Sequence, residues 1–179
     1  MTVAFTFPGQ GSQAVGMGKE LAENFAEARA VFDEVDSALG EKLSATIFEG
    51  PADKLTLTEN AQPALMAVSL AAMRVLEGEA SVDLKRDAKF VAGHSLGEYS
   101  ALAAAGAFSL ADAARLLKVR GQAMQKAVPV GAGAMAALML NEREARRVVE
   151  TVNAAGVEIA AVNSWRSVTG PRPGCCPGR

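Results

Sequence analysis

The sequence predicts an α/β fold, a mostly parallel sheet wrapped by helices, and three observations point there. Short apolar runs at residues 3–7 and 90–92 each end in a glycine-containing turn, as buried strands of a parallel sheet do. Between them, apolar residues recur at spacings of three and four, the period of a helix packed on one side. The second run leads through Gly93-His94-Ser95-Leu96-Gly97 into another helical pattern, giving the order strand, sharp turn, helix.

Composition narrows the class further. The chain has 179 residues, half of them hydrophobic and 21% charged, with a formal net charge of −2. That balance suits one folded domain of ordinary size and offers nothing basic enough to coat a phosphate backbone. The N-terminus lacks the positive flank and long apolar stretch of a signal peptide, and no run approaches the roughly 20 apolar residues of a membrane span. The expected location is cytoplasmic, with neither nucleic acid nor membrane as partner. Cys175 and Cys176 are adjacent and close to the end of the chain, so they form neither a disulfide framework nor a spaced metal site.

Each element follows from local chemistry. Residues 3–7 form a first strand, stopped by Pro8 and the turn Gly9-Gln10-Gly11-Ser12. From about residue 17 to 39, Leu21, Phe25, Ala28, Phe32, Val35 and Leu39 mark one face of a single helix, which Gly40 ends as a C-cap. A second helix should begin near Pro63, a good first-turn residue, and carry Leu65, Val68, Ala72, Val75 and Leu76 on one face. The charged residues 77–89 read as a solvated connection. Phe90, Val91 and Ala92 suit a central strand buried on both faces, and residues 98–105 form the helix after the serine.

Ser109, with Asp112 three residues on, starts another helix running to about Lys126. Beyond Pro129, residues 133–140 form a strand, Asn141 and Glu144 cap a charged helix to about Ala155, and residues 157–162 form a further strand. This is the first half of a small α+β subdomain. Residues 164–179, "SWRSVTGPRPGCCPGR", hold the only Trp and both Cys without helical or strand periodicity. They read as a disordered tail or, on their composition, as a shift out of the original reading frame at Ser164.

The chemistry centres on Ser95. A Gly-x-Ser-x-Gly turn between strand and helix is a nucleophile elbow: the serine takes a strained conformation, flanking side chains would clash, and the hydroxyl is lifted above the sheet. The following helix aims its N-terminal amides at the same point, so the Leu96 N–H is one donor for a tetrahedral oxyanion, and another loop must supply a second.

A glycine-flanked serine in a plain turn is the blander alternative. Gly9-Gln10-Gly11-Ser12-Gln13-Ala14 fits a loose dinucleotide fingerprint, but the acidic residues at the required distance, Asp33, Glu34 and Asp36, fall inside the first helix. A phosphate-binding loop fails too, because Met17 stands at the lysine position. Arg120 lies on the flank of an apolar stripe formed by Ala113, Leu117, Gly121 and Met124, whereas Arg115 and Lys118 should point away. Either it snorkels or pairs with a carboxylate of the chain, or its fork awaits an anionic substrate group.

"FPGQGSQ" at residues 7–13, "QPAL" at 62–65, "GHSLGEYSAL" at 93–102 and "RG" at 120–121 stand in this order. Together they resemble the malonyl-CoA:acyl-carrier-protein transacylases, over residues 1–163. The resemblance implies an incomplete α/β-hydrolase-like core with a nucleophile elbow over 1–128 and the start of a ferredoxin-like α+β subdomain over 129–163. It implies transfer of a malonyl group from malonyl-CoA to the phosphopantetheine thiol of acyl-carrier protein through a malonyl-serine ester, with no cofactor and no metal.

Carried over residue by residue, Ser95 is the nucleophile, the Gln10 and Leu96 amides form the oxyanion hole, Arg120 holds the malonyl carboxylate, and Gln62 and His94, beside the site, are the further substrate-binding residues. In the family the catalytic histidine comes from beyond the matching segment. His94, the chain's only histidine, adjoins Ser95 on a turn whose neighbours project differently, so it is not the expected base. The chain therefore reads as shortened or frame-shifted, and impaired. A serine esterase and a non-catalytic module that docks acyl-carrier protein remain open beside the transferase.

Overall fold

The structure, a computed structural model, describes residues 3–127 and 141–155. The chain divides into two compact units, residues 1–133 and 134–179. The first is an α/β unit, helix-rich with a small parallel sheet. Strand β1 (Ala4–Phe7) pairs in parallel with β2 (Phe90–Gly93), in the register Ala4–Phe90 to Phe7–Gly93. The strand identities and parallel pairing match expectation, but burial of β2 on both faces does not. Among the described residues Phe5, Phe7, Val91 and Gly93 turn inward, while Phe90 is 63% exposed and Ala4, Thr6 and Ala92 also face out. Helices cover one face of the strand pair: Phe7 packs with Met73, Leu84 and Ala101.

The single helix expected over residues 17–39 is two, α1 (Lys19–Asn24) and α2 (Ala26–Leu39). The break is at Phe25, whose backbone is extended at φ −128° and ψ 121°. Asn24 Nδ2 donates to the Glu20 carbonyl at 2.8 Å, and Arg29 Nε to the Ala22 carbonyl at 3.2 Å. The Arg29 side chain thus satisfies the Ala22 carbonyl, which the Ala26 amide would have taken in a continuing helix. The apolar period runs unbroken across this joint, so periodicity alone concealed it. Gly40 ends α2 as expected, at φ 67° with its N–H on the Asp36 and Ser37 carbonyls.

Two short helices escaped the sequence reading, α3 (Leu43–Glu49) and α4 (Ala52–Thr56). Leu43 and Ile47, four apart and both buried, were the available signal for α3. Helix α5 (Thr58–Glu79) begins a turn before Pro63, which sits inside it. Its first half is buried on all sides, and in its second half the buried residues are Leu70, Ala71 and Met73 rather than the expected Ala72, Val75 and Leu76, the last of them exposed. Residues 77–89 also hold more structure than a bare connection: α5 runs through Glu79, and α6 (Leu84–Asp87) is capped by Asp83, whose carboxylate accepts from the Lys85 and Arg86 amides. The Arg86 side chain, with the Asp83 amide, holds the Asp87 carboxyl down to about 2.

Helix α7 (Leu96–Ala104) follows β2, and α8 (Leu110–Ala127) follows the cap Ser109, whose Oγ accepts from the Asp112 amide at 3.0 Å. The main core lies where α5 meets α2, α7 and α8, with Phe32, Met66, Leu96 and Leu117 among its buried residues. Lys118 does not point away as expected. Its Nζ donates to Glu41 Oε1 at 2.6 Å and to Asn60 Oδ1 at 2.9 Å, joining α8 to α5 and to the end of α2. Met124 is 41% exposed rather than part of a buried stripe.

In the second unit, α9 (Glu142–Ala154) starts at Asn141 with the capping box the sequence indicated: Asn141 Oδ1 accepts from the Glu144 amide and Glu144 Oε2 from the Asn141 amide, both at 3.0 Å. The strands expected at 133–140 and 157–162, and the tail from Ser164, lie outside the described residues.

Candidate functional site

Ser95 joins β2 to α7 with φ 56° and ψ −110°. A positive φ is costly for a residue with a Cβ, on the order of 1–3 kcal/mol, and persists only where the surroundings impose it. Here they do so through two glycines. A Cβ on Gly93 would lie 1.9 Å from the Gly97 carbonyl carbon, and one on Gly97 would lie 2.4 Å from the Phe7 carbonyl oxygen. The start of α7 therefore presses on the end of β1, and the backbone between the two glycines has one route to take.

That close approach brings the loop after β1 to the serine turn. The His94 amide donates to the Phe7 carbonyl at 3.2 Å. The His94 ring lies against Gly9, where a Cβ would meet Nδ1 at 2.5 Å. Gln10 follows in the same loop, its Nε2 donating to Thr58 Oγ1 at 3.2 Å. Among the described residues, neither the Gln10 amide nor the Leu96 amide has a hydrogen-bond partner. Leu96 is the first residue of α7, where helix geometry leaves N–H groups free for a ligand.

The other side of Ser95 is set by α5 and α8. Gly121 touches the first turn of α5: a Cβ there would lie 2.4 Å from Glu59 Cα. This crossing carries Arg120 to both Gln62 and Ser95. One guanidinium nitrogen donates to Gln62 Oε1 at 2.6 Å, and the other to Ser95 Oγ at 2.9 Å. Gln62 is fully buried, and its Nε2 donates to Met124 Sδ at 3.3 Å. The guanidinium carbon also lies 5.8 Å from the centre of the Tyr99 ring.

Ser95, Arg120 and Gln62, singled out in the sequence, are thus joined by direct contacts. Of the two sequence readings of Arg120, pairing with a carboxylate of the chain finds no support among the described residues, where its side-chain partners are neutral. Gln10 and His94 lie in the adjoining loop and turn. The fingerprint reading of Gly9 to Ala14 stays rejected, since Asp33, Glu34 and Asp36 lie in α2 and the next strand is β2.

Three contacting residues were not singled out for the site: Thr58, Tyr99 and Met124. Tyr99 is four residues after Ser95 and Met124 four after Arg120, so one helical turn was the signal that could have found both. Chemically, the cluster sets a hydroxyl beside a fixed cation and near two unpaired amides, which suits an acyl group that carries its own negative charge.

Comparison with known proteins gives the family. A malonyl CoA-acyl carrier protein transacylase of Bacillus subtilis strain 168 is 52% identical over 164 residues, 90% of this chain and 50% of the relative. The protein of the same name from Salmonella typhimurium is 44% identical, over 89% of this chain and 50% of the relative. The crystal structure of the acyl-carrier-protein S-malonyltransferase of Bartonella henselae superposes with a TM-score of 0.82 at 63% identity, covering 88% of this chain and 50% of that one. A type II PKS acyl-carrier protein in complex with its malonyl-transacylase gives a TM-score of 0.75 at 40% identity, over 86% of this chain and 48% of that one. The chain spans about half the length of the relatives it matches. Residues 4–174 match the acyl transferase domain family, and the chain belongs to it.

Proposed function

We propose that this chain carries the nucleophile and the acyl-binding half of a transferase that moves a malonyl group from malonyl-CoA to acyl-carrier protein in fatty acid biosynthesis. The single observation that carries the reading is the Arg120 guanidinium, 2.9 Å from Ser95 Oγ and tied to Gln62. Malonate esterified on Ser95 keeps a free carboxylate two carbon–carbon bonds beyond the acyl carbon, within reach of a cation so close to the ester oxygen. A neutral acyl group would offer that cation no charged partner, so the esterase reading gains nothing from it.

In this reading β2, Ser95 and α7 form the nucleophile elbow of an α/β-hydrolase-like core, and α9 belongs to a ferredoxin-like subdomain. Ser95 Oγ attacks the thioester carbon of malonyl-CoA, and the Gln10 and Leu96 amides receive the oxyanion. The carbon–sulfur bond then breaks, the CoA sulfur leaves as the thiol after taking up a proton, and a malonyl ester remains on Ser95. The phosphopantetheine thiol of acyl-carrier protein attacks that ester in turn and restores the serine. Arg120 holds the malonyl carboxylate in a two-pronged bond throughout, and Gln62 aligns it.

The Ser95 proton needs a base. Among the described residues the group hydrogen-bonded to Ser95 Oγ is Arg120, a donor, and the His94 ring lies against Gly9. By family resemblance the base is a histidine outside this sequence. No cofactor or metal enters the scheme.

The test is intact-mass measurement after incubation with malonyl-CoA. A malonyl adduct that maps to Ser95 and is absent from Ser95→Ala is the expected result. An adduct of the same yield in the alanine variant would overturn the assignment.

A further inference from the structure

We propose that Tyr99 is the positioning residue for Arg120, and through it a determinant of selection for acyl groups that bear a carboxylate; this rests on the malonyl reading above. The guanidinium is a planar fork, and its two hydrogen bonds, to Gln62 and Ser95, both leave from its edge. Edge contacts fix how the fork turns within its plane and leave its tilt open. The Tyr99 ring, 5.8 Å from the guanidinium carbon, supplies the missing restraint, since aromatic rings attract cations at this range.

The ring contact also outlasts the others. An incoming carboxylate must take over N–H groups at the edge of the fork, so it competes with Ser95 for Arg120. It does not compete with Tyr99, which uses no N–H. The hold that persists when the acyl group is bound is therefore the aromatic one.

The fold gives the ring a fixed seat. Tyr99 lies in the first turn of α7, and Ser95 is the residue that caps the same helix, so one element carries the ring directly behind the nucleophile turn. Phe108, from the connection between α7 and α8, stacks on Tyr99 with centroids 6.3 Å apart and planes 28° from parallel. Among the described residues the phenol oxygen has no hydrogen-bond partner, so the ring rather than the hydroxyl carries the effect.

The experiment is calorimetric titration of the full chain with malonyl-CoA and with acetyl-CoA, comparing wild type, Tyr99→Phe and Tyr99→Leu. We expect wild type and Tyr99→Phe to share one preference for malonyl-CoA. Tyr99→Leu, of similar bulk but without a π face, should lose about 5- to 30-fold of it, with acetyl-CoA affinity unchanged. In an Arg120→Ala background Tyr99→Leu should change nothing further, as required of a residue that acts through Arg120.

A preference retained in Tyr99→Leu, an equal loss for both ligands, or a loss in Tyr99→Phe as large as in Tyr99→Leu would each overturn the proposal. Should circular dichroism show Tyr99→Leu unfolded, Phe108→Leu carries the test: a reduced preference supports the braced ring and an unchanged one overturns it. A wild-type chain without any preference overturns the malonyl reading first, and the role of Tyr99 with it.

Discussion

At Arg120 one side chain joins the Ser95 hydroxyl, a buried amide and an aromatic ring, so its removal is informative. Arg120→Ala takes away the cation that a malonyl carboxylate would meet, while Ser95 and the Gln10 and Leu96 amides stay where β2, α7 and the loop after β1 hold them. A hydrogen bond to a charged group contributes about 1.5–3 kcal/mol, so malonyl-CoA binding is expected to weaken about 10- to 100-fold and acetyl-CoA binding to change little. Parallel titrations with the two thioesters check this, and an equal loss for both would show that Arg120 supports the fold instead. Residue-scale chemistry was the most legible part of the sequence. Serine between two glycines after an apolar run announces its strained turn, and an arginine beside a buried stripe demands a partner. What the sequence could not show was that Gln62 and Arg120, far apart in the chain, share a hydrogen bond.

Between elements, the crossing of α5 and α8 is what brings those two together, and Gly121 sets its closeness. A methyl group at this position would lie 2.4 Å from Glu59 Cα, a backbone atom that cannot rotate aside. Gly121→Ala should therefore push the helices apart, destabilise the protein by about 1–3 kcal/mol, and loosen the Arg120–Gln62 contact next to it. Denaturant titration reads the first effect and malonyl-CoA affinity the second; a variant as stable as wild type, with unchanged affinity, would refute the account. Helices whose boundary chemistry is local were readable: Gly40 ends α2, Ser109 starts α8 and Asn141 starts α9. Boundaries set by competition were not. The extended backbone at Phe25 frees the Ala22 carbonyl, which the distant Arg29 side chain takes up, and α5 starts a turn before Pro63, in a stretch buried on all sides.

Taken as a whole, the described residues gather Arg120 and Gln62 at Ser95 without placing a base on its hydroxyl. Among the described residues the contact at Ser95 Oγ is with a donor, and the sequence has one histidine, set against Gly9. We expect this chain on its own to move malonyl to acyl-carrier protein orders of magnitude more slowly than an enzyme with its base in place, because a serine nucleophile without that base loses most of its rate. Binding of malonyl-CoA should persist. A discontinuous assay of malonyl-acyl-carrier protein, run beside a relative of full family length, checks this, and equal rates would show that another group takes the proton.

The outward ring of Phe90 has a consequence for the protein in solution. It stands on a parallel strand pair whose outer face, with Ala4, Thr6 and Ala92, is open among the described residues. An apolar face of that kind, with strand edges beside it, invites a second molecule. Such encounters are bimolecular, so their frequency rises with the square of concentration while unfolding of a lone molecule does not. Dilution should therefore slow the loss of material through association, a dependence that unfolding of a lone molecule does not share.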